Sequence, residues 1–358
     1  MSLIHLGFSS RLEQQFEPFR LEGLRPARVV REDRGRYRVH DGAERAAEVS
    51  GRFRHETTNR ADYPAVGDWV AVRSPEGAGA ATITAVLPRS TVFIRHAVGE
   101  ATEPQVVAAN IDTVFVVAGL DGDFNVRRLE RYVTATWESG AQPVIVLNKA
   151  DVAADLEAQI AETELSAPGV PVVPLSAREA QGLEALAAWL APGATVALLG
   201  SSGVGKSTLV NALLGRPQLA TQEVRESDSR GRHTTSHREL VMLAGGTVLI
   251  DTPGMRELQL WAGESALEEA FPEIETLARE CRFGDCRHER EPGCAVLRAE
   301  AAGTLDLGRL ASWRKLQREL RWLAGKQDRR VRIEAQARWK AIHRSMKSHP
   351  KLKARGER

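Results

Sequence analysis

The stretch GSSGVGKS at residues 200–207 decides the fold class of this chain. It matches the phosphate-loop pattern G-x-x-x-x-G-K-[ST], and it lies between an apolar run at 196–199 and a helical pattern at 206–214, which is the context such a loop requires. NKAD at 148–151 precedes it and DTPG at 251–254 follows it. In ordinary GTPases the phosphate loop comes first and the base-reading N-K-x-D motif comes last. The order here predicts a circularly permuted GTPase domain.

The segments around these motifs predict an α/β domain with a mostly parallel sheet. Continuous apolar runs alternate with helical patterns, as expected for strands that are buried on both faces. The runs are 114–117, 144–147, 172–175, 196–199 and 248–250, and the helical patterns are 127–139, 183–190 and 206–214. Each motif follows a run, where ligands bind in such sheets. A glycine turn between 239–243 and 247–250 predicts a hairpin at one edge of the sheet.

The phosphate loop predicts the residues that hold the nucleotide's phosphates. Its glycines let backbone N–H groups turn toward the β-phosphate, and Lys206 reaches the β- and γ-phosphates. The Ser207 hydroxyl and Asp251 are the predicted magnesium ligands from this part of the chain. The predicted GTP-binding set here is Gly200, Ser201, Ser202, Gly203, Val204, Gly205, Lys206, Ser207 and Thr208.

The NKAD motif predicts recognition of guanine. Asp151 can accept hydrogen bonds from both N1–H and the exocyclic amine of guanine, a contact that adenine cannot make. Lys149 would pack its stem on the base, and Asn148 would brace the neighbouring loops. The backbone N–H groups at Ser176 and Ala177 can reach the base oxygen. The predicted base-binding set is Asn148, Lys149, Ala150, Asp151, Ser176 and Ala177.

The segment GRHTTS at 231–236 is the predicted switch loop. A threonine there would reach magnesium when the γ-phosphate is present, and Thr235 is preferred over its neighbour Thr234. Gly254 would supply a backbone N–H to the γ-phosphate. Met255 stands where Ras-like enzymes carry a water-orienting glutamine, so His233 is the candidate catalytic residue, together with Lys206 and Gly254. The alternative for His233 is a solvated loop histidine.

Three cysteines and one histidine predict a structural zinc site. Cys281, Cys286, His288 and Cys294 form the ligand set of a closed tetrahedral site that holds one zinc per chain. An odd number of cysteines favours metal over a disulfide framework. The alternative is three buried thiols and a surface histidine.

The N-terminal region has a different pattern. Short alternating runs at 27–31, 36–40 and 68–72, separated by turn signals, predict a small closed barrel such as an OB-fold. Arginines among Tyr37, Phe53 and Trp69 favour a nucleic-acid-binding face, although a β-domain without a ligand has the same strand pattern. Residues 1–20 show weak helical periodicity and are expected to form a mobile extension.

Composition predicts a cytoplasmic protein without a membrane segment. The hydrophobic content is 42%, and the apolar run at 113–120 is too short to span a bilayer. The net charge of +2 is uneven, because residues 309–358 carry 17 Lys or Arg against 4 Asp or Glu, while residues 61–308 have a net charge of −14. The basic end, with helical patterns at 311–322 and 332–346, would hold a polyanion; the simpler alternative is a solvated helix face.

The succession NKAD, SA, phosphate loop, RGRHTT, DTPG and CRFGDCRHEREPGC resembles the RsgA/YjeQ family, the ribosome small subunit-dependent GTPases. The resemblance covers nearly the whole chain. It implies a bacterial cytoplasmic GTPase that acts late in maturation of the small ribosomal subunit, with slow hydrolysis that the subunit stimulates. It also implies a catalytic histidine at His233, and a barrel and a zinc domain that contact ribosomal RNA. Ser236 departs from the family, where a third threonine is common.

Together these features predict a multidomain chain: residues 1–96 form an N-terminal extension and an OB-fold barrel, 97–262 a circularly permuted P-loop GTPase domain, and 263–358 a zinc-binding α-helical domain with a basic tail. The expected ligands are GTP or GDP with magnesium, and the expected partner of this monomer is the small ribosomal subunit with its RNA. Two other functions share these motifs. One is an RNA-binding module in which the nucleotide only sets a binding state, and the other is a GTPase that serves translation or membrane targeting.

Overall fold

The computed structural model describes residues 2–33, 35–75, 79–96, 104–215, 238–251 and 264–321. The chain divides into two units, residues 1–280 and 281–358. Every strand in the described ranges lies in the first unit. Among the helices in these ranges, none is both long and apolar enough to cross a membrane.

The N-terminal segment packs against the rest of the first unit. A 3-10 helix spans Leu3–Leu6, and α1 spans Ser10–Leu21. Helix α1 begins after Ser9 because the Ser9 side chain accepts a hydrogen bond from the N–H of Leu12 (3.4 Å). Leu6 and Phe16 are buried in a cluster with Trp69. The expectation of a mobile extension is therefore wrong, because this segment contributes apolar side chains to a core.

A closed barrel of five strands follows. The strands are β1 (Arg25–Asp33), β2 (Arg36–His40), β3 (Glu44–Val49), β4 (Trp69–Arg73) and β5 (Ala81–Val86). They pair in the order β1-β2-β3-β5-β4, and β4 returns to β1 to close the barrel. Val29, Val39, Val70 and Ile83 fill the interior. The three strands predicted here are present, and the barrel adds β3 and β5. A short helix, α2 (Gly51–Glu56), lies between β3 and β4.

A buried ion pair stabilises the segment that leads into β4. Asp68 is fully buried and pairs with Arg89 (2.7 Å), whose guanidinium also donates to the backbone oxygens of Ala61 and Tyr63. After this point a two-stranded antiparallel sheet forms from β6 (Val92–His96) and β7 (Pro104–Ala109). These strands connect the barrel to the nucleotide-binding half of the unit.

Five parallel strands form that half. They are β8 (Thr113–Gly119), β9 (Gln142–Asn148), β10 (Val172–Pro174), β11 (Thr195–Leu199) and β13 (Val248–Asp251), and their spatial order is β10-β9-β8-β11-β13. All five predicted apolar runs form strands, although β10 ends one residue before its run does. The runs in β8 and β9 are buried throughout, whereas β10 lies at the edge of the sheet and only Val173 in it is buried. Strand β9, which leads into the NKAD motif, precedes strand β11, which leads into the phosphate loop, as the order of the motifs requires.

The predicted hairpin is present, but it is not an edge. Strand β12 (Arg238–Met242) pairs antiparallel with β13, and on its other side it pairs with β1 of the barrel through Arg31↔Glu239 and Glu32↔Arg238. One continuous sheet of eleven strands therefore joins the barrel to the nucleotide-binding half. The edge prediction is wrong because β1 extends beyond the barrel and covers β12.

Helices cover both faces of the parallel strands. They are α3 (Val126–Glu138), α4 (Leu156–Ser166) and α5 (Lys206–Leu214). The predicted helix at 183–190 is a 3-10 helix, Leu183–Trp189. Leu129 of α3 belongs to the core on one face, and Leu209 of α5 belongs to the core on the other. Two short helices, α6 (Glu264–Ala270) and α7 (Pro272–Ala278), close the unit, and α6 packs against α3.

The described part of the second unit is helical around a cysteine-rich segment. Helix α8 spans Ala295–Ala301, and residues 307–321 form a further helix, which corresponds to the first of the two predicted basic helices. Its buried apolar residues are Leu310, Trp313, Leu316 and Leu320. The predicted helix at 332–346 lies outside the described residues.

Candidate functional site

The phosphate-loop motif forms a tight turn between β11 and α5. Gly200 has φ 153° and Gly205 has φ 93°. A Cβ at Gly200 would lie 2.3 Å from the backbone oxygen of Val117, and one at Gly205 would lie 2.3 Å from Nδ2 of Asn148. Any larger residue at either position would displace the neighbouring strand or the base-reading loop, so the two glycines fix how closely these segments approach.

Lys206 lies over this loop. Its ammonium donates to the backbone oxygen of Gly200 (2.7 Å) and to that of Ser201. These carbonyl groups hold the ammonium at the mouth of the loop, where the oxygens of a bound phosphate can replace them as acceptors. Ser207 and Thr208 follow in the first turn of α5 and are partly buried. The arrangement places one cation and the N-terminus of a helix beside the same turn, which suits an anionic ligand.

Asn148 joins three loops. It is buried at the end of β9, where its Nδ2 donates to the backbone oxygen of Val204 in the phosphate loop (2.9 Å). Its Oδ1 accepts the backbone N–H of Ala177 (2.9 Å), in the segment after β10. One side chain therefore holds the NKAD motif, the Ser176-Ala177 pair and the phosphate loop together, which is the bracing expected from the sequence.

The remaining residues predicted to read the base lie around Asn148. The N–H of Ala150 donates to the backbone oxygen of Leu175 (3.1 Å), so the NKAD loop lies directly beside Ser176 and Ala177. Lys149 has a left-handed backbone, with φ 66°, and its ammonium pairs with Asp121. The side chain of Asp151 is exposed to solvent. The Asp151 carboxylate is thus open to a ligand, whereas the backbone N–H groups of Ser176 and Ala177 are paired within the protein, the first with the oxygen of Gln181 (3.0 Å) and the second with Asn148 Oδ1.

Some predicted residues cannot be placed. Thr234, Thr235, His233 and Gly254 lie outside the described residues, and so does the side chain of Asp251. The backbone of Asp251 ends β13, which is paired directly with β11. Asp251 therefore follows the strand next to the phosphate loop. The roles assigned to the switch residues stay predictions.

Two carboxylates at this site were not predicted from the sequence. Asp121 and Asp123 follow β8, and Asp123 accepts a hydrogen bond from Ser201 Oγ (2.7 Å) and pairs with Arg128 (2.9 Å). The signal that could have identified them is their position, since they follow a buried strand whose neighbours β9 and β11 both end in nucleotide-binding motifs.

The second unit contains a compact cluster of metal-ligating atoms. One ligand atom each from Cys281, Cys286, His288 and Cys294 lies within 4.8 Å of all the others, and the cluster could hold one metal ion. His288 Nδ1 lies 3.5 Å from Cys281 Sγ and 3.3 Å from Cys294 Sγ. The four residues predicted from the sequence are therefore brought together, although they come from a segment of fourteen residues without a strand.

Backbone donors surround the sulfurs of this cluster. The N–H of Ala295 donates to Cys281 Sγ (3.3 Å), and Cys294 caps α8 by accepting from the N–H of Leu297 (3.4 Å). Burial alone would raise the pKa of Cys281, but backbone hydrogen bonds, that of Ala295 first, lower it below its usual value. The backbone donors favour the thiolate of Cys281, which is the form that binds metal, whereas burial raises the pKa of Cys286 to about 11.

The histidine is held by the helix at 307–321. Arg314 donates to the backbone oxygen of His288 (2.7 Å), and the ring of Trp313 lies 5.4 Å from the imidazole. His288 is buried, and its backbone has a left-handed φ of 57°. Burial lowers the pKa of its imidazole, which favours the neutral ring that a metal needs. The cluster is thus part of the packing of the unit.

Comparisons with known proteins agree with this site. The family model described as RsgA GTPase matches residues 86–261. The chain is 50% identical to the "Small ribosomal subunit biogenesis GTPase RsgA" of Opitutus terrae over 100% of both chains, and 44% identical to the protein of that name from Streptomyces coelicolor over 95% and 92%.

Two solved structures share the fold. The crystal structure of YjeQ from Thermotoga maritima is similar, with 26% identity and a TM-score of 0.64, over 83% of this chain and 98% of that one. YloQ, described as a circularly permuted GTPase, has a TM-score of 0.61 at 23% identity, over 83% of this chain and 95% of that one. At this identity the similarity concerns the fold only. Identity of this extent over the full length shows that the chain belongs to the RsgA family of circularly permuted GTPases.

Proposed function

We propose that this protein is a GTPase that binds the small ribosomal subunit, assists or checks its late maturation, and hydrolyses GTP to GDP and phosphate faster when the subunit is bound. The observation that carries the proposal is the bridge made by Asn148. A single buried side chain holds the base-reading loop, the Ala177 N–H and the phosphate loop in one site. The relatives named for small-subunit biogenesis supply the partner.

The nucleotide would lie across the carboxyl edge of the parallel strands. Asp151 would read the guanine base, and Lys206 would neutralise the β- and γ-phosphates. The backbone N–H groups of Ser176 and Ala177 would reach the base oxygen by sharing their protons between it and their present acceptors, Gln181 O and Asn148 Oδ1. The proposed GTP-binding set is the one predicted from the sequence, residues 148–151, 176–177 and 200–208. His233 would orient the attacking water, and Gly254 would donate a backbone N–H to the γ-phosphate.

Magnesium would accompany GTP. The ligands proposed from this chain are Ser207, Thr235 and Asp251, and the pairing of β11 with β13 supports two of them, because Ser207 and Asp251 follow adjacent strands. The ion supplies positive charge to the phosphate oxygens. Lys206 would supply positive charge from the protein.

The metal in the second unit is proposed to be zinc. Cys281 Sγ and Cys294 Sγ are 3.8 Å apart. A tetrahedron with sulfur ligands about 2.3 Å from the metal has edges of about 3.8 Å, whereas a disulfide would bring the sulfurs to about 2 Å. Three sulfurs and one imidazole complete the coordination of Zn²⁺, so the ion would be structural: it would fix α8 and the cysteine-rich segment and leave no position open for a reaction.

The other parts of the chain are assigned to RNA. We propose that the barrel is an OB-fold that contacts ribosomal RNA, and that the zinc domain with the basic residues 309–358 does the same. The functional division would follow residues 1–96, 97–262 and 263–358. We propose that the protein works as a monomer in the cytoplasm, where ribosomal subunits are assembled. Its function needs no membrane.

The decisive experiment measures GTP hydrolysis by the purified protein with and without purified small subunits. The expected result is slow turnover alone and a clear increase with subunits. Lys206→Ala should abolish both rates, because the phosphates lose their main cation, while Arg11→Ala, which removes an exposed cation on α1, serves as the matched control.

The same assay separates the alternatives. A protein that binds GTP but never turns it over would be an RNA-binding module in which the nucleotide only sets the binding state. Stimulation by mature ribosomes or by membranes, and not by small subunits, would favour a GTPase of translation or of membrane targeting.

A further inference from the structure

The segment between β8 and α3 contacts both nucleotide-binding loops. Asp121 accepts a hydrogen bond from the ammonium of Lys149 in the NKAD loop, and Asp123 accepts one from Ser201 Oγ in the phosphate loop (2.7 Å). Neither carboxylate belongs to the nucleotide-binding motifs described above. Each touches a residue of those motifs through its side chain.

Lys149 needs an external partner to serve a base. A lysine side chain loses the entropy of its many rotamers when it is ordered, and its stem can cover a planar base in only a few of its conformations. A free lysine at this position would therefore be ordered largely at the expense of nucleotide affinity.

Asp121 forms an ion pair with this lysine. The side chains of Lys149 and Asp121 are 25% and 36% exposed, so the ion pair is partly withdrawn from water. Gly119 leaves the room for it: a Cβ there would lie 2.8 Å from Asp121 Oδ1 and 3.6 Å from Lys149 Cδ. The lysine stem and the carboxylate thus share the space above the end of β8, and the absence of a side chain at Gly119 permits that arrangement.

Asp121 carries its negative charge at neutral pH. Burial acts to raise the pKa of its carboxyl group, but the hydrogen bonds from Lys149 and from the backbone N–H of Asp123 outweigh it, so the pKa lies below its usual value. The pair is therefore ionic under the conditions in which a nucleotide would bind.

We propose that Asp121 is a positioning residue for guanine nucleotides, which fixes the side chain of Lys149 before the base arrives and so raises the affinity for GDP and GTP. The inference rests on the proposed guanine site. It extends that site by one residue that acts through Lys149 and touches no part of the nucleotide. Ordering a contact residue before binding improves affinity because the entropy has already been lost.

The test is a double-mutant cycle. Equilibrium titration with fluorescently labelled GDP compares the wild type, Asp121→Asn, Lys149→Met and the double variant in the full-length protein. Asp121→Asn keeps the shape and removes the charge, and Lys149→Met keeps the stem and removes the ammonium. We expect Asp121→Asn to weaken GDP binding about fivefold, as for an ion pair worth about 1 kcal/mol.

The cycle should be strongly non-additive. In the Lys149→Met background, Asp121→Asn should change the affinity by less than twofold, because the carboxylate no longer has an ammonium to hold. Glu164→Gln removes an exposed carboxylate on α4 and should leave GDP binding at the wild-type value. Circular dichroism melts of all variants establish that each is folded.

Two results would overturn the role of Asp121. One is an unchanged affinity for GDP in Asp121→Asn, which would mean that the pair of Asp121 with Lys149 is a surface ion pair without a role in binding. The other is an equal loss in both backgrounds, which would mean that the carboxylate acts independently of Lys149. Failure of the wild type to bind GDP at all would instead remove the guanine site itself, and the positioning role with it.

Discussion

Replacement of Arg28 by methionine should loosen the contact between the N-terminal segment, the barrel and the parallel strands. Arg28 is 1% exposed. Its guanidinium donates to the backbone oxygens of Leu6, Gly67 (3.3 Å) and Asn110 (3.2 Å), and to Thr195 Oγ1 (2.9 Å). One side chain therefore pairs acceptors from four separate segments of the first unit.

The expected loss can be worked from these acceptors. Methionine fills a similar volume but donates no hydrogen bond, so the carbonyl groups of Leu6 and Asn110 lose this donor at about 1 kcal/mol each. The carbonyl group of Gly67 keeps the hydrogen bond from Asn110 Nδ2 (3.1 Å). The Thr195 hydroxyl can rotate to another partner. Burial lowers the pKa of Arg28 to about 10 against the attraction of Asp112 and Asp68, so it is still charged at neutral pH. Methionine avoids that burial of charge, which offsets part of this loss of about 2 kcal/mol, and we expect a net destabilisation of about 1 kcal/mol.

Hydrogen–deuterium exchange measured by mass spectrometry suits this prediction, because it resolves local opening in a chain of several domains. Peptides that contain Leu6, Gly67 and Asn110 should exchange faster in Arg28→Met, by the factor that corresponds to the expected loss of stability. Arg25→Met, which alters an exposed arginine of the same strand, should change exchange little. Equal protection of these peptides in Arg28→Met and in the wild type would refute the reasoning, since the carbonyl groups would then not depend on the guanidinium.

Other predictions test the separate parts of the chain. Asp151→Asn should shift the nucleotide preference from guanosine toward xanthosine, whose N2 position carries an oxygen; unchanged preference in competition binding would exclude Asp151 as the base reader. Metal analysis of freshly purified protein should find one zinc per chain, and Cys286→Ser should lose it and unfold residues beyond 280 while GDP affinity stays nearly intact. RNA binding should weaken as the salt concentration rises. Truncation before Arg309 removes a net charge of +13 and should make the affinity less dependent on salt. The same salt dependence in both proteins would assign the basic end to a solvated helix face. Arg89→Ala should destabilise the barrel by about 3–5 kcal/mol in urea unfolding, because it leaves the buried Asp68 without its partner.

The nucleotide-binding half could be predicted from the sequence because its signals are local. Buried parallel strands form continuous apolar runs, and each of the motifs at 148–151, 200–207 and 251–254 lies within a few residues of one such run. The bracing role of Asn148 also followed from its motif. The metal cluster was predictable for the same reason, since all of its ligands lie between Cys281 and Cys294.

The features that were missed depend on contacts between distant segments. Strand β3 has the sequence ERAAEV, which contains few strand-forming residues, and it is held by its neighbours β2 and β5. The covering of β12 by β1 joins residues about 200 positions apart, so no local pattern could reveal it. Asp121 and Asp123 were missed because an acidic loop is usually only a solvated turn, and their partners Lys149 and Ser201 come from other parts of the chain.

The pairing of β1 with β12 means that the nucleotide-binding half cannot be cut away from the barrel as an independent piece. Removal of the barrel would leave β12 with unpaired backbone N–H and C=O groups, a template for aggregation. It would also uncover Leu240 and Met242, which pack in the cluster that contains Trp69 and Phe16. A fragment that begins after the barrel would then lose GTP hydrolysis through misfolding. Loss of activity in such a fragment is therefore no evidence that RNA contacts of the barrel stimulate the reaction, and point substitutions on the barrel surface are the sound way to ask that question.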